Sequence, residues 1–90
     1  MKNSGPSREN PETVQDTDWF LKGYNEGVWF AQEEADYDDL AAFSRAGGIP
    51  PAWDIFRAEI LNEHLGEKGF DFSQYAAGFA KACIEIFNQI

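Results

Sequence analysis

Apolar residues recur along residues 17–35 at the three- and four-residue spacing of an α-helix. At roughly 100° per residue they form one stripe, which consists of Phe20, Tyr24, Gly27, Val28, Ala31 and Ala35. Asp16 or Thr17 stands just before the first aromatic residues and is the predicted N-cap. The pattern therefore predicts a first helix over residues 17–35.

The stripe ends near Asp36–Asp38, because the positions that would continue it are Asp38 and Asp39. A break at this point predicts a second, short helix in which Leu40, Ala41 and Phe43 restart the apolar pattern. A single long, bent helix that reaches Arg45 is the alternative. In either case Gly47-Gly48 stops the helix, and Ile49-Pro50-Pro51 forms an extended connection.

Two more helices are predicted in the C-terminal half. The first covers residues 51–65, with Pro51 in its first turn and Gly66 as its C-cap. The second covers residues 72–89, is the most apolar of all, and has Asp71 or Ser73 as its N-cap. Phe70 and Tyr75 are spaced as a hydrophobic staple at its start.

The fold class that follows is all-α, since apolar alternation with a period of two never extends beyond three residues. We expect a small compact bundle of three to five helices. Residues 1–15 are polar and aperiodic and are predicted to be a disordered leader. Residues 16–90 are then a single helical domain.

A four-residue signature occurs twice, 51 positions apart. Tyr24-x-x-Gly27-Val28-x-x-Ala31 recurs as Tyr75-x-x-Gly78-Phe79-x-x-Ala82. Glycine inside a helix costs about 0.5–1 kcal/mol relative to alanine, so close approach of another helix should offset that cost. We therefore predict that the first and last helices pack together through Tyr24, Gly27, Ala31, Tyr75, Gly78 and Ala82.

The net charge of −9 changes which partners are plausible. Residues 1–14 are neutral, so the excess lies on residues 15–90, with five basic residues against 14 acidic ones. This balance argues against direct binding to nucleic acid or to anionic membranes. No apolar run approaches the length of a membrane span, and no secretory signal follows Met1. Together with a single cysteine, these features favour the cytoplasm.

Residues capable of chemistry are few. His64 is the only histidine, and its helical neighbours are aromatic or aliphatic, so we interpret it as a core residue rather than a general base. Cys83 lies on the apolar stripe of the last helix and should be buried and inert. We predict no enzyme activity and no cofactor. The prediction of no enzyme activity would be wrong if paired carboxylates such as Glu59 and Glu63 lined an apolar pocket and acted as catalytic groups.

Five carboxylates lie within seven residues: Glu33, Glu34, Asp36, Asp38 and Asp39. A calcium loop counted from Asp36 would need glycine and glutamate where Ala41 and Gly47 stand, so no metal site is predicted. A solvated helix end, a docking patch for a basic partner and a mimic of nucleic-acid phosphates remain as interpretations.

Trp29 falls opposite the apolar stripe of its own helix. In a bundle of this size we expect another helix to cover it; if exposed, it would anchor a partner. Tyr24 and Tyr75, as equivalents in the repeat, could line a shared pocket with their hydroxyls. Otherwise both are core aromatics whose hydroxyls reach the surface.

The function that these features favour is a non-enzymatic, acidic protein-interaction module. It would self-associate, as in a homodimer, or dock on a basic partner. The partner-binding residues would be Trp29, Glu33, Glu34, Asp36, Asp38 and Asp39. The alternatives are a nucleic-acid-mimicking inhibitor of a DNA- or RNA-binding protein and a small-ligand-binding helical domain.

Overall fold

The structure is a computed structural model that describes residues 17–90. This part of the chain contains four helices joined by short connections. They are α1 (Trp19–Glu33), α2 (Tyr37–Ala46), α3 (Asp54–Glu63) and α4 (Phe72–Asn88), and no strand occurs within these residues. The predicted all-α fold class is confirmed. The predicted leader, residues 1–15, lies outside the described residues.

The start of α1 corrects one prediction. Asp18, not Asp16 or Thr17, is the N-cap, and its carboxylate accepts a hydrogen bond of 3.0 Å from the backbone N–H of Leu21. The reason is geometric, because an N-cap side chain reaches the N–H groups two and three residues further on, and the first helical residue is Trp19.

A capping box separates α1 from α2. The carboxylate of Asp36 accepts from the Asp39 N–H at 2.9 Å, and that of Asp39 accepts from the Asp36 N–H at 3.2 Å. Asp36 has extended backbone, so the helical path stops before it. The predicted break is confirmed, and the alternative of one long bent helix is excluded.

α3 begins at Asp54, about one turn later than residue 51, where the sequence predicts its start. The Trp53 N–H donates to the Pro50 carbonyl at 3.0 Å, which closes a turn where the helix was expected to begin. The guanidinium of Arg57 donates to the carbonyls of residues 49, 50 and 51 and fixes this turn. At its other end α3 has His64, not Gly66, as its C-cap; Gly66 follows in the next turn with a φ of 89°.

Glycines bring α1 and α4 into backbone contact. A Cβ built on Gly27 would lie 2.6 Å from the carbonyl oxygen of Phe79, and one on Gly78 would overlap the carbonyl oxygen of Phe20. Gly23 makes a third contact of this kind, against the carbonyl of Tyr75. The repeated signature does not include Gly23, although Gly23-x-x-x-Gly27 extends the small-residue spacing by one turn.

Aromatic side chains fill the space between these helices and α3. Phe79 of α4 packs against Phe30 of α1 and Phe56 of α3, with ring centroids 5.2 and 5.4 Å apart. The predicted staple also forms, with Phe70 and Tyr75 at 5.7 Å. Of the residues of α3, Ile60 alone is fully buried, so this helix is attached by a few large side chains. That sparse attachment leaves a cleft between α1 and α3.

Candidate functional site

A cleft of about 590 Å³ lies between α1 and α3, above α4. We call it the α1–α3 cleft. Its walls come from α1, from Glu34 just after α1, and from α3. Its floor is formed by the buried side chains of Tyr75 and Phe79 of α4. The residues lining it are Glu26, Trp29, Phe30, Glu34, Phe56, Glu59, Ile60, Asn62, Glu63, Tyr75 and Phe79. It combines an apolar floor with a polar rim, as ligand sites do.

Trp29 stands on the α1 wall and is 56% exposed. The expectation that another helix would cover it is wrong, because the aromatic ring of α1 that meets Phe56 of α3 is that of Phe30, and the indole stays exposed. An exposed tryptophan beside a half-buried aromatic wall offers a large apolar contact area at little entropic cost. Trp29 therefore has the surroundings of an interface anchor.

The rim of the cleft is acidic. Glu26 and Glu34 come from the α1 side and Glu59 and Glu63 from α3, and all four side chains are exposed. No basic residue lines the cleft, and none within residues 17–90 forms an ion pair with these four carboxylates. The cleft is thus a focus of negative potential.

Tyr75 differs from the rest of the floor because it carries a polar group. The residue is only 2% exposed, and its hydroxyl has no hydrogen-bond partner within residues 17–90. Burial raises its pKa well above the usual 10.0, and the nearby charges of Glu26 and Glu63 raise it further. Tyr75, Glu26 and Glu63 all line the cleft, so this phenol and the two carboxylates border the same space.

The two tyrosines of the repeat do not share a pocket. Tyr24 donates a hydrogen bond of 2.5 Å to Glu85 and does not line the α1–α3 cleft, whereas Tyr75 lies on its floor. The repeat brings Gly27 and Gly78 into the helix interface, with Ala82 near Gly27. Ala31 and Ala82 are buried as well. The equivalence of the two segments therefore extends to their packing and not to their hydroxyl groups.

The acidic segment 33–39 is divided between different environments. Glu34 lines the cleft, whereas Asp36 and Asp39 hold the start of α2 through the capping box. Glu33 and Asp38 are exposed and lie outside the cleft lining. Besides Glu34, the carboxylates that line the cleft together with Trp29 are those of Glu26, Glu59 and Glu63. Glu59 and Glu63 sit one helical turn apart, which is the signal that the sequence offered for them.

His64 and Cys83 lie outside the cleft lining. His64 is 7% exposed, stacks on Phe70 with centroids 4.6 Å apart, and has its Nδ1 3.2 Å from Glu67 Oε1. Cys83 is fully buried, and burial raises the pKa of its thiol to about 12. A thiol held neutral in this way is a poor nucleophile.

Two further observations apply to residues 17–90. No group of three or more His, Cys, Asp or Glu side chains is arranged to hold a metal ion. None of the four helices has the length and apolar character needed to cross a membrane.

Comparison of the chain with known protein families, with characterised proteins and with solved structures found no match. The α1–α3 cleft is the feature of residues 17–90 on which a function can be proposed.

Proposed function

We propose that this protein is a non-enzymatic interaction module that docks a basic segment of a partner protein in the α1–α3 cleft. The observation that supports this proposal is the meeting of exposed Trp29, an aromatic floor and four carboxylates around one 590 Å³ cleft. Buried aromatic anchors supply most of the affinity of protein interfaces, and charges at the rim supply specificity and association rate. A segment with alternating apolar and basic side chains complements both features.

A basic partner is a better occupant than a second copy of the same chain. Each copy carries a net charge of −9, and the cleft rim concentrates four of the acidic side chains. Self-association through this surface would bring like charges together, which is unfavourable. A cytoplasmic location belongs to the same proposal and is supported by the single, unpaired and buried cysteine.

The non-enzymatic part of the proposal is supported by the character of the cleft residues. Glu59 and Glu63 do line an apolar cleft, as a carboxylate-based enzyme would require. Both are exposed to solvent, and neither the histidine nor the cysteine of residues 17–90 lines the cleft with them. A binding surface therefore accounts for the arrangement more fully than a catalytic one.

A small-ligand-binding domain is the second candidate function. The cleft volume falls within the roughly 300–1,000 Å³ typical of pockets for small molecules. The acidic rim would then select an organic cation. The third alternative, a nucleic-acid mimic, has less support, because Asp36 and Asp39 of the acidic segment are engaged in capping α2.

Binding of a synthetic basic peptide tests the proposal. A fluorescent peptide of leucine and lysine residues is titrated with the protein and followed by anisotropy, with the same peptide carrying glutamate in place of lysine as the reference. We expect the lysine peptide to bind and the glutamate peptide not to bind. Trp29→Ala should weaken binding by about 2 kcal/mol, as hot-spot truncations do, and should leave the melting temperature almost unchanged because the side chain is exposed.

Matched controls separate the cleft from the rest of the acidic surface. Ile55→Ala removes a side chain that is 77% exposed and does not line the cleft, and it should leave binding intact. Glu59→Gln/Glu63→Gln should weaken binding more than Glu33→Gln/Asp38→Asn, although both pairs remove two charges. A larger loss from Glu33→Gln/Asp38→Asn would assign docking to the predicted 33–39 patch instead, and equal losses would contradict a preference for the cleft. Binding that Trp29→Ala leaves intact would refute the cleft as the docking site.

A further inference from the structure

We infer that the α1–α3 cleft recognises a primary ammonium group, that of a lysine side chain on the docked segment, through the hydroxyl of Tyr75. This inference rests on the proposed docking function and names the chemical group that the cleft selects. It also assigns a binding role to the hydroxyl of Tyr75 alone, and not to a pocket that Tyr75 shares with Tyr24.

The buried hydroxyl of Tyr75 is one feature that points to a ligand. A buried polar group without a hydrogen-bond partner destabilises a folded protein, so native structures contain few of them. The hydroxyl of Tyr75 has no partner within residues 17–90, and the side chain is 2% exposed. A ligand that occupies the cleft and bonds to this oxygen would remove the penalty. The hydroxyl is thus a second feature, independent of the carboxylates, that points to a ligand.

Negatively charged side chains line the same cleft as Tyr75. Glu26 from α1 and Glu63 from α3 line the cleft together with Tyr75, and after burial, the main cause, their negative charges raise the pKa of its hydroxyl further. Two anions beside a neutral oxygen form a site for a cation that carries N–H donors. An ammonium group has three such donors, which match one hydroxyl and two carboxylates.

Aromatic side chains also line the cleft. Phe30 and Phe56 form the walls with ring centroids 5.5 Å apart, and Trp29 stands at the exposed edge. The four-carbon stem of lysine can pack along such rings while its charged end reaches further, and aromatic faces attract cations. Arginine fits less well, because its planar guanidinium is suited to bidentate pairing with one carboxylate.

A series of peptides that differ at one position provides the test. A leucine-rich peptide carries a single central lysine, trimethyl-lysine, arginine or norleucine, and free n-butylammonium is titrated separately. Trimethyl-lysine is the decisive probe, since it keeps the positive charge and lacks N–H donors. We expect the lysine peptide to bind about tenfold more tightly than each of the other three peptides, a ratio typical of one charge-assisted hydrogen bond. Free n-butylammonium should bind far more weakly than the lysine peptide.

The repeat supplies a matched pair of variants. Tyr75→Phe should abolish the preference of the protein for lysine over trimethyl-lysine. It should also maintain or raise the melting temperature of the free protein, because it removes a buried hydroxyl that has no partner among residues 17–90. Tyr24→Phe removes the equivalent hydroxyl outside the cleft and should keep the preference for lysine. The melting curve of each variant establishes that it is folded.

The outcomes distinguish this inference from the proposed function. If no basic peptide binds, or if binding does not depend on Trp29, the docking function fails and the inference fails with it. If the lysine peptide binds at the cleft but trimethyl-lysine or arginine binds equally well, docking stands and the ammonium assignment is overturned. Unchanged lysine preference in Tyr75→Phe would overturn it as well. Equal affinity for n-butylammonium would contradict the assignment to a side chain of the partner.

Discussion

The hydroxyl of Tyr24 on α1 donates a hydrogen bond of 2.5 Å to Oε1 of Glu85 on α4. The other carboxylate oxygen of Glu85 pairs with Lys81 Nζ at 2.7 Å. The Tyr24–Glu85 hydrogen bond therefore links α1 to α4 in addition to the glycine contacts between their backbones. Tyr75 has no comparable contact within residues 17–90, so the two tyrosines of the repeat differ in hydrogen bonding as well as in position.

The Tyr24–Glu85–Lys81 cluster predicts a dependence of stability on pH. Hydrogen bonds from Lys81 and then from Tyr24 lower the pKa of Glu85 below its usual 4.5. A carboxyl group with a lowered pKa in the folded state stabilises the fold above pH 4.5 and loses this contribution as the pH falls through the folded value. Hydrogen bonds to Glu85 raise the pKa of Tyr24 above 10.0 and that of Lys81 above 10.5. Those two contributions are complete at lower pH and are lost as the pH rises through the raised values.

Glu85→Gln should therefore lower the melting temperature near neutral pH, and the difference from the wild type should shrink below about pH 4 and at strongly alkaline pH. The measurement is a series of melting curves over this range. Glu33→Gln makes the same change of charge on an exposed side chain and serves as the control. A difference between wild type and Glu85→Gln that stays constant across the acid range would contradict the prediction.

The glycine contacts predict a large and position-specific loss of stability. Gly23→Ala and Gly78→Ala each place a methyl group against a backbone carbonyl of the facing helix, and neither helix can yield without losing other contacts. Each should lower the free energy of unfolding by about 3 kcal/mol or more. Gly48 is the matched control, because its added Cβ would meet nothing within 4 Å, and alanine there should be neutral or stabilising by about 0.4–1 kcal/mol. Urea unfolding measures all three, and a Gly78→Ala variant as stable as Gly48→Ala would refute the close contact.

Much of this fold could be predicted from local sequence, because its determinants are local. The break before α2 follows from a capping box that spans four residues, and the start of α4 follows from Asp71 and the Phe70–Tyr75 staple. The late start of α3 could not be predicted in this way. It depends on Arg57, a residue inside the helix that bonds back to carbonyls six to eight positions earlier.

The candidate site was harder to predict, because it depends on how helices are placed in space. The sequence shows that Trp29 falls opposite the apolar stripe of its own helix. Its exposure, however, depends on how α3 is placed relative to α1. The acidic rim combines α1 with α3, and no short motif shows that Glu26 and Glu63 lie near the same phenol. Tyr75 was correctly placed on a buried face, yet only the structure shows that its hydroxyl has no partner within residues 17–90.

The capping box predicts that two carboxylates of the acidic segment serve stability rather than binding. Asp36→Ala removes the N-cap of α2 and should lower the free energy of unfolding by about 1 kcal/mol. Asp38→Ala removes the same charge without a capping hydrogen bond and should cost less. Chemical denaturation compares the two, and peptide titration should show similar, small effects of both on docking. A larger loss of stability for Asp38→Ala than for Asp36→Ala would contradict the assignment.

Cys83 predicts that thiol labelling reports the opening of the α1–α4 interface. The side chain is fully buried, its Sγ lies 3.9 Å from the carbonyl oxygen of Gly27, and burial raises its pKa to about 12. A thiol-specific reagent at pH 8 should therefore react rapidly with the urea-unfolded protein and only at the rate of unfolding with the folded protein. Gly78→Ala, which loosens the same interface, should accelerate labelling to the extent that it speeds unfolding, whereas Trp29→Ala should not. Rapid labelling of the folded wild-type protein would show that the interface opens without global unfolding, contrary to the packing described for these two helices.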